Sequence, residues 1–449
     1  MPRRSIRLIP PCVPVRWLAR LVLAGLLAWP ILPATVAGPE TGVLRTARAL
    51  EEGRPVRIVC FGDSVTGIYY HSGGRRAWSD LLGVALARIH PAAKVEIVNA
   101  GISGNTSADG LKRVDHDVLR HRPDLVVAMF GLNDMARVTA DEFRDTLTAL
   151  GQRIRSSGAE LLLMTPNLVY PDDPRRPVSR LVEYSDIIHQ VAGVLGIPVV
   201  DIGRTHAAIQ SLDRPTWTGL MSDSIHPNLR GHKLFAEEAA HAITGRRVSL
   251  EILPELSPAF PRLGEALKQG KKLRIVAMKP YDELIGPALR KIHPTVEFNV
   301  VAWDPELKSI QALSDEAKQT GWWRQRNDPK AELPDLVVIA VPPRALAPDQ
   351  ESFYRGYTWI LNWSQSTGVT SGMPGWDCLA VLPSVTRPEL NQVERVLEAH
   401  ARRAIAGQDI PCLERVGGDG STPLELLTGR IRRGLAGATT VAADPRAPR

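Results

Sequence analysis

Four short segments follow one another in this chain: FGDS at Phe61–Ser64, SGNT at Ser103–Thr106, GLND at Gly131–Asp134 and DSIHP at Asp223–Pro227. Between them they hold a hydroxyl, an imidazole with a carboxylate three residues before it, and several groups able to donate hydrogen bonds to an oxyanion. A serine hydroxyl attacks a carbonyl at neutral pH only if a neighbouring base takes its proton, and an imidazole is held in the required tautomer by a carboxylate on its other nitrogen. Ser64, His226 and Asp223 supply those three roles. The tetrahedral oxygen then needs donors, and the N–H groups of Ser64 and Gly104 with the Asn133 side chain supply three. Each segment alone is weak, since turn glycines and loop-capping asparagines are common. All four in order point to acyl transfer.

The elements that must position these residues are legible as well. Apolar runs of strand length occur at RIVCF, KVEIVNA, DLVVAMFG, ELLLMTP and IPVVDIG, separated by segments of helical spacing such as Trp78 to Ala87 and Ala140 to Arg155. Strands apolar on both faces that alternate with helices predict a parallel sheet covered on both sides, an α/β fold. Ser64 then follows the first strand, where open sheets of this kind place their ligands.

The set resembles the SGNH hydrolases, the GDSL-type esterases and lipases, over about Val56 to Gly245. Ser64, Gly104, Asn133 and His226 match the four naming positions, and Asp223 the third member of the triad. The resemblance implies a flavodoxin-like three-layer α/β/α fold with a five-stranded parallel sheet, and neither metal nor organic cofactor. The leucine that follows the serine in many members is Val65 here.

The pattern recurs without the chemistry. KLRIVAM at 272–278 mirrors RIVCF, RKIHP at 290–294 mirrors ARIHP, LPDLVVIA at 333–340 mirrors RPDLVVAM, and WDCLAVLP and DIPCLER stand where ELLLMTP and GIPVVDI stood. Correspondences in order predict a duplicated domain. Lys279, Pro280 and Tyr281 replace Gly62, Asp63 and Ser64, Arg344 replaces Asn133, and neither His293 nor His400 is placed to act as a base, so the second copy is expected to be silent. The expected organisation is a signal peptide at 1–37, a hydrolase domain at 55–245, a linker at 246–272, a degenerate domain at 273–430 and a disordered tail at 434–449. Pro254, Pro258 and Pro261 interrupt regular structure in the linker, although LEILPEL could instead lie along the first domain as an arm. If residues 273–430 are a degenerate domain, a fragment from Gly38 to about Arg247 should retain the triad and oxyanion donors and hydrolyse small activated esters.

Residues 1–37 hold five arginines, no acid, and an apolar stretch from Leu21 to Leu32 that is too short to span a bilayer. That predicts export to the periplasm or beyond, with an uncleaved anchor as the alternative. The net charge of +7 includes those arginines; without them 50 basic residues face 48 acidic ones, and the remaining +2 gives no reason to invoke nucleic acid, while after cleavage no other segment is apolar for long enough to cross a membrane. No histidines or cysteines are clustered with metal spacing. Cys60 reads as a core residue, and Cys378 with Cys412 as two buried thiols or a disulfide between neighbouring strands.

For the substrate the chain offers GIYYHSGGRRAW, from Gly67 to Trp78. Tyr69, Tyr70, His71, Arg75 and Arg76 could stack on a sugar or clamp an anion there, or form an ordinary solvated loop. Trp322, Trp323, Trp359 and Trp363 are candidates for a binding surface or for a core. The expectation is an exported esterase that removes short acyl groups, most plausibly acetyl, from small-molecule or polysaccharide esters. The alternatives are a lipid or thioester acylhydrolase and a non-catalytic carbohydrate-binding scaffold.

Overall fold

Strands β1 (Val56–Gly62), β2 (Val95–Gly101), β3 (Leu125–Met129), β4 (Glu160–Met164) and β5 (Val199–Val200) form a parallel sheet in the order β2-β1-β3-β4-β5. This computed structural model describes residues 43–320, 332–345, 347–366 and 375–436. The expected signal segment, Trp322, Trp323 and residues 437–449 lie outside the described residues. β3 is buried throughout and β1 nearly so, as the apolar runs require, because helices cover both faces. The order is that of a flavodoxin-like α/β/α fold.

Strands β6 (Leu273–Met278), β7 (Phe298–Trp303), β8 (Leu336–Ile339), β9 (Asp377–Val381) and β10 (Cys412–Leu413) build a second parallel sheet, ordered β7-β6-β8-β9-β10. Its strands send alternate side chains to two cores. Val276, Met278, Val337 and Ile339 meet the helices Ile310–Thr320, Gln350–Ser364 and Gln392–Gly407. Leu273, Ile275, Ala277 and Val338 meet the helices Pro261–Lys268, Tyr281–Arg290 and Pro423–Leu435. Both sheets belong to one compact unit.

Two expected boundaries shift. The 246–272 segment is not a free linker: Leu250 is buried in the first core, Leu253 packs on it, and the Arg88 guanidinium donates to the carbonyls of Ser249 (2.6 Å) and Ile252 (2.8 Å). Pro261 opens the helix Pro261–Lys268 rather than breaking one, since a first-turn residue has no N–H to lose. At the other end Gly434 and Leu435 close a helix, and the Gly434 carbonyl accepts the Ala259 N–H at 2.9 Å, so the expected tail begins too early.

Cys60 is buried on β1, and Cys378 and Cys412 are unbonded. Cys412 pairs in register with Ala380, two residues beyond Cys378. Burial pushes both of those thiols up to about 12. Among the described residues no helix is long and apolar enough to cross a membrane.

Candidate active site

In register, Gly62 of β1 stands beside Gly101 of β2 and Met129 of β3, so the loops carrying Ser64, Gly104 and Asn133 leave the sheet side by side. Gly62 admits no side chain, because a Cβ there would lie 2.3 Å from Thr66 Oγ1 and 2.5 Å from the Met129 carbonyl. Ser64 follows in the tight turn after the strand, nearly buried. Gly104 has φ +79, the left-handed region that a side chain would strain, in the loop after β2.

Asp223 and His226 arrive from the loop before the helix Leu229–Thr244. Asp223 Oδ1 accepts the backbone N–H groups of Ile225 (2.8 Å) and His226 (2.7 Å), which folds the loop around the carboxylate. Its Oδ2 lies 2.7 Å from His226 Nδ1, and His226 Nε2 lies 2.9 Å from Ser64 Oγ. This continuous chain can draw a proton from Ser64 onto the imidazole while the carboxylate balances the charge.

The Asn133 amide is oriented by two guanidiniums. Arg137 and Arg176 donate to its Oδ1 at 3.2 and 3.3 Å, so its Nδ2 faces the other way, donating to the Asn105 carbonyl (3.0 Å) and more loosely to Asp63 Oδ2 (3.3 Å). Arg176 is itself buried, bonded to the Leu132 carbonyl at 2.8 Å and paired with Asp173. Burial raises Asp63 to about 6, although it accepts the Val65 N–H and feels the His226 charge. The sequence reading passed over Asp63, Arg137 and Arg176. Asp63 stands within FGDS and could have been noticed there; nothing in the sequence ties the arginines to Asn133.

Residues expected to meet the substrate are largely committed elsewhere. His71 is fully buried, its ring stacked parallel on His226 at 4.3 Å and on His232 at 5.7 Å, with a hydrogen bond to the Ser64 backbone. Burial, and then the neighbouring His226 charge, hold it well below the ordinary histidine range, so it offers His226 a neutral π face rather than a second positive charge. Arg76 makes a two-pronged ion pair with Asp409 (2.8 and 2.9 Å), and Arg75 donates to the Ala259 carbonyl at 3.1 Å. A loop beside a second sheet has a protein neighbour to bind, which composition alone cannot distinguish from a ligand. Tyr69 is half-buried, and its hydroxyl accepts the Ser103 N–H at 2.9 Å, next to Gly104. Tyr70 lies in a short helical turn, Tyr70–Ser72.

The second sheet's helices reach the residues on either side of Asp223 and His226. Asn362 Nδ2 donates to the Ser222 carbonyl (3.0 Å), and the Ser222 hydroxyl donates to Asn362 Oδ1 (3.2 Å). Gln408 Nε2 donates to the same hydroxyl at 2.8 Å. Asn228, which caps the helix Leu229–Thr244, donates to Tyr354 Oη at 3.2 Å. All are buried. Trp359 and Trp363 stack on each other at 5.3 Å, both half-buried. No cluster of three or more potential metal ligands exists among the described residues.

The model of the GDSL-like lipase/acylhydrolase family matches residues 60–234, from just before the serine to just past the histidine. Those residues belong to that family. As a GDSL-type ester hydrolase the chain is 29% identical over 164 residues to an acetylxylan esterase of Geobacillus stearothermophilus, covering 34% of this chain and 73% of that protein. It is 28% identical over 181 residues to thioesterase 1/protease 1/lysophospholipase L1 of Escherichia coli K12, covering 40% of this chain and 79% of that protein. Among solved structures, a lipase/acylhydrolase from Enterococcus faecalis shares 29% identity, covers 44% of this chain and 100% of its own, and gives a TM-score of 0.38.

Proposed function

We propose that this GDSL-type hydrolase is an exported serine esterase that removes acetyl groups from carbohydrate esters, with Ser64, His226 and Asp223 as its triad. The hydrogen-bonded run from Ser64 Oγ through His226 to Asp223 carries the reading. His226 Nε2 takes the hydroxyl proton as Ser64 Oγ bonds to the acyl carbon. The carbonyl oxygen becomes an oxyanion received by the N–H groups of Ser64 and Gly104 and by Asn133 Nδ2, whose loose 3.3 Å bond to Asp63 is the one to yield. Collapse expels the alcohol, protonated by His226. Water then attacks the acyl-serine, giving its proton to His226, and the acid leaves as Ser64 recovers its own.

The acetyl and carbohydrate preference draws on the acetylxylan esterase relative and on an aromatic content of 5% with no amphipathic lid near the motifs. The similarity to thioesterase 1 supports a second reading, an acylhydrolase of thioesters or lipids. Export rests on the arginine-rich, apolar residues 1–37. The second sheet, of the same strand order as the first, reads as a duplicated copy without hydrolytic residues.

Acetate release from acetylated xylan, measured beside a chain-length series of nitrophenyl esters, tests the assignment. The acetyl substrates should give the highest kcat/KM; a preference rising with chain length would favour the second reading. Ser64→Ala should lower turnover by about a thousandfold or more and abolish organophosphate labelling. A folded Ser64→Ala protein that still turned over and still labelled would remove the serine mechanism altogether.

A further inference from the structure

A second crevice opens at the C-terminal ends of β6, β8 and β9, a cavity of about 520 Å³. In its sheet β7 lies on one side of β6 and β8 on the other, so the chain reverses direction between them. Open parallel sheets leave a ligand crevice at that point. In the first sheet the equivalent place holds Ser64. Here the loop after β6 contributes Lys279, Pro280 and Tyr281, and the loop after β8 contributes Val341 to Ala345. Among the described residues no serine, cysteine or histidine lines the cavity, so a molecule held there would be bound and not hydrolysed by such a nucleophile. The volume suits a small molecule.

The lining is apolar on one side and cationic on the other. Val341, Pro342, Leu382 and Pro383 form a wall without hydrogen-bonding side chains. Lys279 and Lys308 are matched by Asp304 (2.9 Å) and Glu316 (2.8 Å), and Glu306 is exposed at the rim. The arginine end is different. A single oxygen of the nearly buried Glu394 carboxylate serves both Arg344 Nε (2.9 Å) and Arg387 Nη2 (3.2 Å), which leaves one positive charge over. Arg344 uses Nε for that contact, leaving its terminal nitrogens for another partner; its side chain is 72% exposed.

Tyr281 is 2% exposed and lines the cavity, where the Thr386 hydroxyl is its side-chain hydrogen-bond partner. Thr386, a neighbour on that wall, turns its own hydroxyl to the Pro383 carbonyl (3.4 Å). At the mouth Leu307 is fully exposed with φ +58, a conformation costly for a bulky residue and of a kind that collects at ligand sites.

We propose that this cavity binds a small organic carboxylate, its charged end held by Arg344 and the Tyr281 hydroxyl and its body lying on the wall of Val341, Leu382 and the neighbouring prolines. Guanidinium and hydroxyl donors suit a carboxylate, and the wall asks for carbon rather than further charge. The full-length chain carrying Ser64→Ala, titrated calorimetrically with octanoate, benzoate and glucuronate and with the primary amide of each, tests this. At least one acid should bind, with its amide at least about tenfold weaker. Arg344→Gln should weaken that binding about tenfold, by the loss of a charge-assisted hydrogen bond. It should leave the fold intact, because Arg387 remains on Glu394. Tyr281→Phe should weaken it about threefold, and Arg344→Gln in the otherwise native chain should not change ester hydrolysis. Binding of none of the acids, binding indifferent to both substitutions, or inorganic phosphate binding as tightly as the best carboxylate would each overturn the proposal.

Discussion

Burial decides the charge of three histidines in the first half of the chain. His232 and His206 are held down to about 3 and about 4 by burial, against an ordinary 6.5, and His71 well below its usual range for the same reason. Their folded values lie below the unfolded one, so on acidification the unfolded chain takes the proton first. The stability they contribute is complete above pH 6.5 and drains away as pH falls toward 4 and then 3. Asp63 and Asp377, both raised to about 6 by burial, work in the opposite sense: they favour the folded state on the acid side and cost stability as pH rises from 3.8 through 6. The native pH curve is therefore a difference of opposed contributions, and a single variant isolates one of them. His206→Leu should flatten the fall in urea-unfolding free energy between pH 6.5 and 4 by up to about 1.4 kcal/mol per pH unit, the slope for one proton. Parallel curves for variant and native protein would mean that His206 is not held neutral.

The element on which the site most depends is the loop that delivers Asp223 and His226. Within its own half it is held by the Asp223 carboxylate with the two N–H groups, by a bridge between Met221 and Pro227, and by the Ser224 and Ile225 carbonyls, which accept the Tyr170 N–H (2.8 Å) and Asn167 Nδ2 (3.0 Å). Ser222, immediately before the acid, is fixed by Asn362 and Gln408 from the other sheet's helices. These act as positioning residues, since neither touches the serine or the imidazole. Gln408→Ala should leave the buried Ser222 hydroxyl short of a partner, a cost of about 1–3 kcal/mol. It should lower kcat about tenfold with KM within about twofold. Arg214→Ala, which breaks the exposed two-pronged pair with Glu351 in the same interface, should leave kcat alone, because such pairs contribute little. Equal effects of the two substitutions on kcat would mean that the interface acts only through overall stability.

At the scale of the molecule the two sheets are not independent. Arg76 with Asp409, Arg355 with Asp172 (2.7 Å) and with the Tyr170 ring beneath it (4.2 Å), and the Ser222 and Asn228 contacts join the halves around the triad. This reverses the expectation for a fragment from Gly38 to about Arg247. Such a fragment should lose activity on small and polymeric esters alike, because the loop bearing the acid and base would lack its backing and the buried Ser222 and Asn228 would face water. Assays of the purified fragment on nitrophenyl acetate and on acetylated xylan decide the matter. Full activity on the small ester would restore the independent-domain reading.

Much of the fold and the candidate triad was written in the chain itself. Apolar runs at RIVCF and DLVVAMFG determine strands because a segment buried on both faces must be apolar on both. Asp223 and His226 meet because a three-residue spacing in a loop brings carboxylate and imidazole together locally. Other features were decided only by tertiary structure. His71 looked like a ligand-binding residue until the fold laid it under His226, and Arg75 and Arg76 looked free until the second half supplied the Ala259 carbonyl and Asp409. Asn362 and Gln408 carry no motif, since their importance comes from touching a residue about 140 or 186 positions away. Local sequence records what a residue can do, through propensity, spacing and chemistry. Which distant group it does it to depends on how two sheets pack, and that is a property of the closed chain alone.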